Sequence, residues 1–257
     1  MAIPINSEVV DTPPVPAATV MLLRDAPQGL QVLLMRRHAK SGVLGGVYVF
    51  PGGKLDAADR LCPEPGVPVL HCQALAEPAL DAASAAALYL AAVRETMEEC
   101  GLRLDVASLW PWSRWITPRQ PSVTNKRFDT RFFVAPAPPG QDAKHDDHEA
   151  TEVLWITPQE GLRRYWDGEI DLAPPQIMSL AELARLNDAQ QALALARSRP
   201  PLLVEPEAFD DEHGRRVICY PGDPQHSVRQ PIWRGPTRLT HRNRRFEPEG
   251  GLAALLG

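Results

Sequence analysis

Four charged residues, Arg94, Glu95, Glu98 and Glu99, lie within six positions of a segment that has helical periodicity. At 100° per residue, the three glutamates spread over about 100° of one side of a helix. Like charges at these spacings repel, and the last turns of a helix disfavour anions. The cluster therefore needs a cation. Either Arg94 supplies it on a solvated face, or the carboxylates hold a hard divalent metal together with substrate phosphates.

A long helix is predicted to position this cluster. It runs from about residue 82 to residue 100, with Asp81 or Ser84 near its N-cap and Gly101 as the residue after its end. Several apolar residues fall on the side opposite the glutamates, and we expect that side to face the core. They are Leu90, Val93, Met97 and Cys100.

The remaining segments predict a mixed sheet flanked by helices, an α/β or α+β sandwich. Residues 17–24 and 31–37 have the pattern of a hairpin, and a short strand from Val47 to Phe50 runs into Pro51-Gly52-Gly53. Residues 60–81 are proline-rich and aperiodic, which indicates a long excursion. Further strands are predicted at 102–110, 127–137 and 151–158, and further helices at 158–168 and 179–198.

Composition limits the classes of protein that fit. The chain has 257 residues, 44% of them hydrophobic, and a formal net charge of −5. The length fits one substantial domain with an appendage, or two small domains. The net charge gives no electrostatic reason to expect nucleic-acid binding. We find no segment typical of a membrane span or a secretory signal, and we expect a cytoplasmic protein without a membrane partner.

Two short motifs carry a resemblance to a known family. Arg94 to Leu102 has the form R-E-x-x-E-E-x-G-aliphatic, and Phe50 to Gly53 forms an F-P-G-G turn after a strand. These motifs resemble the two halves of the Nudix box. Arg94 lies 41 positions after Gly53, farther than in the contiguous box, so we interpret residues 60–81 as an insertion between the halves.

Because of the insertion, one position of the box can be assigned to either of two residues. The glutamate that the family carries shortly after the glycine is Asp59 when counted forward from Gly53, and Ala86 when counted back from Arg94. Thr96 also replaces the bulky aliphatic residue that is usual in the box. These departures put the geometry of the loop in doubt more than the chemistry.

The interrupted box is itself similar to the branch of Nudix hydrolases that includes the peroxisomal coenzyme A diphosphatases. Residues 115–118, 127–133 and 149–158 also resemble that branch. The resemblance implies a Nudix-type α/β/α sandwich over residues 1–200, with the insertion at about 60–81. Residues 201–257 are then a C-terminal extension, which we expect to pack on the same domain.

The resemblance also implies a metal-dependent mechanism. Glu95, Glu98 and Glu99, with the carbonyl of Gly52, would hold Mg²⁺ or Mn²⁺. Arg94 would brace the helix against the loop by pairing with a neighbouring glutamate. The general base would be Glu98 or Glu95, or else Glu149 from a later loop, which is equally well explained as an ordinary loop acid.

Arginines are the expected contacts to substrate phosphates, because their guanidinium groups donate forked hydrogen bonds. Arg36 and Arg37 end the second predicted strand, and Arg127 and Arg131 share one face of a later strand. We expect one of these four to reach the substrate.

Three functions follow from the resemblance. The first is cleavage of the diphosphate of coenzyme A or acyl-coenzyme A to 4′-phosphopantetheine species and adenosine 3′,5′-bisphosphate. The second is hydrolysis of another linked nucleoside diphosphate, such as NADH, ADP-ribose or a nucleotide sugar. The third is a catalytically silent Nudix-fold binding module. Nudix enzymes are often dimers, so a homodimer is a further expectation.

Overall fold

The computed structural model describes residues 5–6, 8–41, 44–61, 66–145 and 148–257, and it contains two sheets and six helices within those ranges. The strands are β1 (Val15–Ala26), β2 (Gly29–Arg37), β3 (Tyr48–Val49), β4 (Gly52–Lys54), β5 (Trp110–Ile116), β6 (Phe128–Pro136), β7 (Ala150–Ile156), β8 (Leu202–Val204), β9 (Glu207–Asp210), β10 (Arg216–Cys219), β11 (Arg238–Arg242) and β12 (Arg245–Glu247). The helices are α1 (Val69–Ala74), α2 (Ala82–Cys100), α3 (Pro158–Asp167), α4 (Pro174–Leu183), α5 (Ala189–Ser198) and α6 (Gly251–Leu256).

The larger sheet is mixed and lies between two layers of helices. Its main order is β3-β2-β1-β6-β5-β8, while β4 pairs with β1 and β7 pairs with β2. The β1–β6 and β5–β8 pairs are parallel, and the other pairs are antiparallel. Helix α2 packs on one face, and α3, α4 and α5 pack on the other. The predicted α/β sandwich with a mixed sheet is confirmed.

Helix α2 begins and ends as its sequence predicts. Asp81 is the N-cap, and its carboxylate accepts a hydrogen bond from the Ser84 N–H at 2.8 Å. The helix ends at Gly101, which has φ +67° and donates its N–H to the Met97 carbonyl at 3.0 Å. A left-handed residue at this position favours glycine because it has no Cβ.

The predicted buried side of α2 is partly right. Cys100 is buried and Leu90 and Val93 pack against the core, but the most buried face is rotated away from Met97. Met97 is 40% exposed, whereas Glu99 and Thr96 are buried. The buried face also carries small residues such as Ala85 and Ala92, which allow the helix backbone to lie close to the sheet. This rotation turns Glu99 inward and leaves Glu98 in solvent.

Two further element predictions are also wrong. Residues 102–110 were expected to form a strand, but β5 begins only at Trp110 and a 3₁₀ turn covers residues 106–108. The Asp105 carboxylate caps that turn by accepting from the Ala107 N–H at 2.9 Å. The single helix predicted over 179–198 is two helices, because Asp188 accepts from the Gln191 N–H at 2.7 Å and starts α5 there.

The excursion at 60–81 contains helix α1, which the sequence did not predict, and residues 62–65 lie outside the described part. An ion-pair network joins the excursion to the sheet. The Glu77 carboxylate lies 2.9 Å from Nη1 of Arg114 and 2.9 Å from Nε of Arg131, and both arginines also pair with Asp129.

Residues 201–257 share the core of the preceding domain. Strand β8 extends the larger sheet beside β5, and β9–β12 form a second sheet in the order β12-β11-β10-β9. Ile218 and Phe246 belong to the same buried cluster as helices α3–α5. Trp233 stacks on Trp115 with a ring-centroid distance of 6.0 Å. Within the described residues, no helix has both the length and the hydrophobicity needed to cross a bilayer.

Candidate active site

The Gly52 turn and the end of helix α2 are joined by a partly buried hydrogen bond. The Gly52 N–H donates to Oε2 of Glu99 at 2.8 Å. The turn is fixed from its other side by Thr19 on β1, whose hydroxyl donates to the Pro51 carbonyl at 2.7 Å. Gly52 has φ +152°, and a Cβ there would collide with the backbone of Ala18 and Thr19. Glycine is therefore required by both conformation and space.

Gly53 allows a second glutamate to approach the same turn. A Cβ built on Gly53 would overlap the carboxylate of Glu95. Gly53 has no left-handed φ that would demand glycine, so only this contact explains the residue. Two glutamates of α2 therefore contact the turn: Glu95 packs against Gly53, and Glu99 bonds to Gly52.

Arg94 connects helix α2 to the segment that follows the turn. Its Nε and Nη2 donate to the two carboxylate oxygens of Asp59, each at 2.9 Å, and its Nη1 donates to Glu95 and Glu98, also at 2.9 Å each. Asp59 is buried. Asp59, the position reached by counting forward from Gly53, is therefore the residue that pairs with Arg94. The excursion at 60–81 follows Asp59 in the chain.

The three glutamates have different environments. The Glu98 side chain is 57% exposed, that of Glu95 is 13% exposed and that of Glu99 is 2% exposed. The pKa of Glu99 is raised to about 8, mainly by burial and also by the charges of Glu95 and Glu149. The hydrogen bond from Gly52 opposes this rise. Burial likewise raises the pKa of Glu95, while Arg94 opposes that shift.

The chemistry of these side chains fits a divalent cation. Oε1 of Glu99 is buried without a hydrogen-bond partner, and carboxylate oxygens are the ligands that Mg²⁺ and Mn²⁺ prefer. Among the described residues, no three acidic, histidine or cysteine side chains converge closely enough to form a complete metal site. Arg94 instead donates to both Glu95 and Glu98. The donor set fits a metal, while its arrangement here is that of an arginine-bound cluster.

Glu149 lies close to the acidic cluster. Its charge raises the pKa of both Glu95 and Glu99, and its side chain is exposed at the start of β7. Its backbone carbonyl accepts from the His38 N–H at 2.8 Å, beside the end of β2. The structure therefore brings this later-loop acid to the helix cluster.

The four arginines predicted to bind substrate lie in four different places. Nη1 of Arg37 is 4.0 Å from Oε1 of Glu99, whereas Arg36 is exposed on the opposite face of β2, beside Tyr48. Arg127 donates to the Thr117 carbonyl at 3.0 Å, and Arg131 is buried in the network with Glu77. Of the four, the structure brings Arg37 to the acidic cluster.

A cavity of about 400 Å³ opens on the other side of the glycine turn. Its edge nearest to helix α2 is formed by Gly52, Gly53 and Arg37. Its walls include Trp115 and Phe132. Its size is typical of a small-molecule site. Sequence reasoning did not identify this cavity, because its walls come from β1, β5, β6, α4 and the C-terminal extension, which no spacing pattern connects.

Comparison with known proteins agrees with the fold. The family model described as the NUDT19 Nudix domain matches residues 103–186, which directly follow the arginine–glutamate helix. The crystal structure of a NUDIX hydrolase from Alicyclobacillus acidocaldarius superposes with a TM-score of 0.58 at 24% identity, covering 72% of this chain and 97% of that one. The chain therefore has the fold of a Nudix hydrolase and is similar in sequence to members of that family.

The chain is also similar to proteins named acyl-coenzyme A diphosphatase NUDT19. It is 25% identical to the Xenopus laevis protein over 225 residues, covering 60% of this chain and 59% of that protein. The Gallus gallus protein is 25% identical over 265 residues, covering 67% and 69%. A putative nudix hydrolase 7 from Caenorhabditis elegans is 24% identical over 239 residues, covering 82% and 79%. The chain thus spans less than two thirds of the length of the Xenopus protein.

Proposed function

We propose that the protein is a metal-dependent Nudix diphosphatase that cleaves the diphosphate of coenzyme A or acyl-coenzyme A. The observation that carries the proposal is the convergence of Glu95 and Glu99 on the Gly52–Gly53 turn, at the edge of a cavity large enough for a substrate arm. The relatives named acyl-coenzyme A diphosphatase support the choice of substrate.

Glu95, Glu98 and Glu99, with the carbonyl of Gly52, are the residues that would hold Mg²⁺ or Mn²⁺. Such an ion, when bound, neutralises phosphate charge and lowers the pKa of a coordinated water. Arg37 lies between Glu99 and the cavity, where its guanidinium would donate to a phosphate oxygen. Glu149, Glu95 and Glu98 are the candidates to take the proton of the attacking water, and Glu149 is the one that does not belong to the helix.

Arg94 would position the turn and the glutamates of α2 rather than contact the substrate. Its bonds to Asp59 and to the Lys54 carbonyl hold the chain after the turn against α2. Because the same guanidinium also bonds Glu95 and Glu98, it neutralises their repulsion before a metal binds.

The proposal is tested by a substrate panel of coenzyme A, acetyl-coenzyme A, NADH, ADP-ribose and a nucleotide sugar, each incubated with excess Mg²⁺ or Mn²⁺ and followed by chromatography of the products. We expect release of adenosine 3′,5′-bisphosphate from the coenzyme A substrates, and no release when EDTA is present. Turnover confined to another substrate would keep the site and discard the coenzyme A assignment.

A binding module is the second candidate, and one observation favours it. Arg94 engages Asp59, Glu95 and Glu98 at once, so three carboxylates are already paired without a metal. The Glu98→Gln variant separates the two candidates, because it leaves the buried residues in place. Lost turnover with retained coenzyme A binding supports the enzyme, and absence of turnover in the wild type together with tight binding supports the module.

A further inference from the structure

Two buried polar atoms of residues that line the cavity have no hydrogen-bond partner. They are Oε1 of Gln176, on the first turn of α4, and Oγ of Ser122, in the loop before β6. Gln176 is 8% exposed and Ser122 is 5% exposed. An unpaired buried polar group destabilises the fold. Both atoms are enclosed in the wall of the cavity, so each needs a turn of its side chain toward the cavity to gain a partner on a bound ligand.

The walls around these two atoms are mostly apolar. Trp115, Phe132 and Ile218 belong to the buried core and also line the cavity. Ile218 comes from the C-terminal extension, so that extension completes the cavity. A ligand that fits here has a largely apolar body with hydrogen-bonding groups at particular places.

The cavity adjoins the acidic site without including it. Arg37 and the Gly52–Gly53 turn line the cavity, and the same residues contact Glu99 and Glu95 from the other side. A substrate whose diphosphate lies at the turn therefore directs one of its two arms into the cavity.

We propose that Gln176 and Ser122 select a substrate arm that carries amide groups, by accepting hydrogen bonds from its N–H groups inside an otherwise apolar cavity. The amide oxygen of Gln176 only accepts, whereas the Ser122 hydroxyl accepts or donates. An arm built from short apolar segments joined by amides satisfies both atoms, and the pantetheine arm of coenzyme A has this chemistry. This inference rests on the proposed function for the orientation of the substrate.

The test measures binding of the arm alone. Pantetheine, which has no diphosphate, is titrated into the full-length protein by calorimetry, beside an analogue in which ester oxygens replace its amide N–H groups. We expect the wild type to bind pantetheine about tenfold more tightly than the ester analogue. Gln176→Leu should weaken pantetheine binding about tenfold and remove most of that preference, and Ser122→Ala should act in the same direction.

Gln190→Leu is the matched control, because Gln190 is exposed on α5 and should bind pantetheine like the wild type. Thermal unfolding supplies a second readout. Replacing an unpaired buried acceptor with an apolar group of similar size should leave the Tm of Gln176→Leu equal or higher, whereas a structural role for the amide would lower it.

The inference is overturned if pantetheine does not bind, or if Gln176→Leu and Ser122→Ala keep both the affinity and the preference. Failure of the proposed function gives a different result. A protein that binds pantetheine through Gln176 but hydrolyses no coenzyme A would retain this inference and lose the diphosphatase assignment.

Discussion

Gly53 lacks a side chain at the point where the Glu95 carboxylate packs against the turn. Gly53→Ala should leave the backbone unstrained but displace Glu95 from the site. We expect kcat/KM for coenzyme A to fall at least tenfold, since small displacements of catalytic groups are costly, with a Tm change of only about 2 °C. Steady-state kinetics and thermal unfolding measure the two effects.

The control is Gly66→Ala, because a Cβ at Gly66 meets nothing within 4 Å. Wild-type kinetics in both variants would show that the approach of Glu95 to Gly53 has no part in catalysis.

Asp59 joins the segment after the Gly52–Gly53 turn to helix α2 by pairing with Arg94. Asp59→Asn removes the charge that faces Arg94 and one of the two hydrogen bonds between these residues, so we expect the free energy of unfolding to fall by about 1–3 kcal/mol. Urea unfolding measures this value. Asp56→Asn is the control, because Asp56 is 65% exposed and 3.9 Å from Arg94, and it should change stability by less than about 0.5 kcal/mol. Equal losses in the two variants would contradict the assigned role of Asp59.

At the scale of elements, Glu77 ties the excursion at 60–81 to the sheet through its ion pairs with Arg114 and Arg131. Glu77→Gln removes one charged partner from Arg114 and one from Arg131, and Arg131 is buried. We expect a loss of about 3 kcal/mol, typical of a broken buried ion pair. Urea unfolding gives the loss, and limited proteolysis should show faster cleavage within residues 66–81.

The exposed residue Glu212 provides the comparison for that variant. Its side chain is 85% exposed, and Glu212→Gln should match the wild type in both assays. If Glu77→Gln also matches the wild type, the network of Glu77, Arg114 and Arg131 does not hold the excursion in place.

Local signals in the sequence predicted much of this architecture. The hairpin, the caps of α2 and the spacing of Arg94, Glu95 and Glu98 are each set within a few residues. The rotation of α2 was not predictable from its own periodicity, because alanines such as Ala92 fit either face and only the facing sheet selects one. The pairing of Arg94 with Asp59 likewise depends on a loop that returns after a long excursion.

The cavity was less predictable still. Gln176 and Ser122 are ordinary residue types at ordinary positions, and their chemistry appears only when burial leaves their polar atoms unpaired. Arg131 shows the opposite case, since its place on a strand suggested a phosphate contact, and its guanidinium instead lies in a buried ion-pair network.

At the scale of the whole molecule, the C-terminal extension contributes acid-sensitive stability. Asp223 is buried and accepts from Nη2 of Arg238 at 2.7 Å. Burial acts to raise its pKa, but the hydrogen bonds from Arg238 and from the Gln225 N–H outweigh that effect and lower it. The folded state therefore binds protons less readily than the unfolded state, and this stability is complete above the ordinary pKa of 3.8 and lost as pH falls through the folded value.

Asp223→Asn should accordingly be less stable than the wild type by about 1–3 kcal/mol at pH 7. The difference should be smaller at pH 3 than at pH 7, because this stabilisation declines once the pH is below 3.8 and is lost as the pH falls through the lowered pKa of the folded carboxyl. Urea unfolding at the two pH values measures it, with Asp167→Asn, at an exposed position, as the control. A difference that stays the same at both pH values would show that the charge of Asp223 is irrelevant.

We propose that the carboxylates of α2 and the Gly52–Gly53 turn form a metal-dependent diphosphatase centre. The most direct measurement is Mg²⁺-dependent release of adenosine 3′,5′-bisphosphate from coenzyme A by the wild type and by Glu99→Gln. Glutamine can still accept from the Gly52 N–H, so the turn should stay folded while the charge that faces the metal is lost. We predict at least a hundredfold lower kcat in the variant, with the Tm little changed. Equal rates in the two proteins, or a wild-type rate that does not depend on the metal, would contradict the claim.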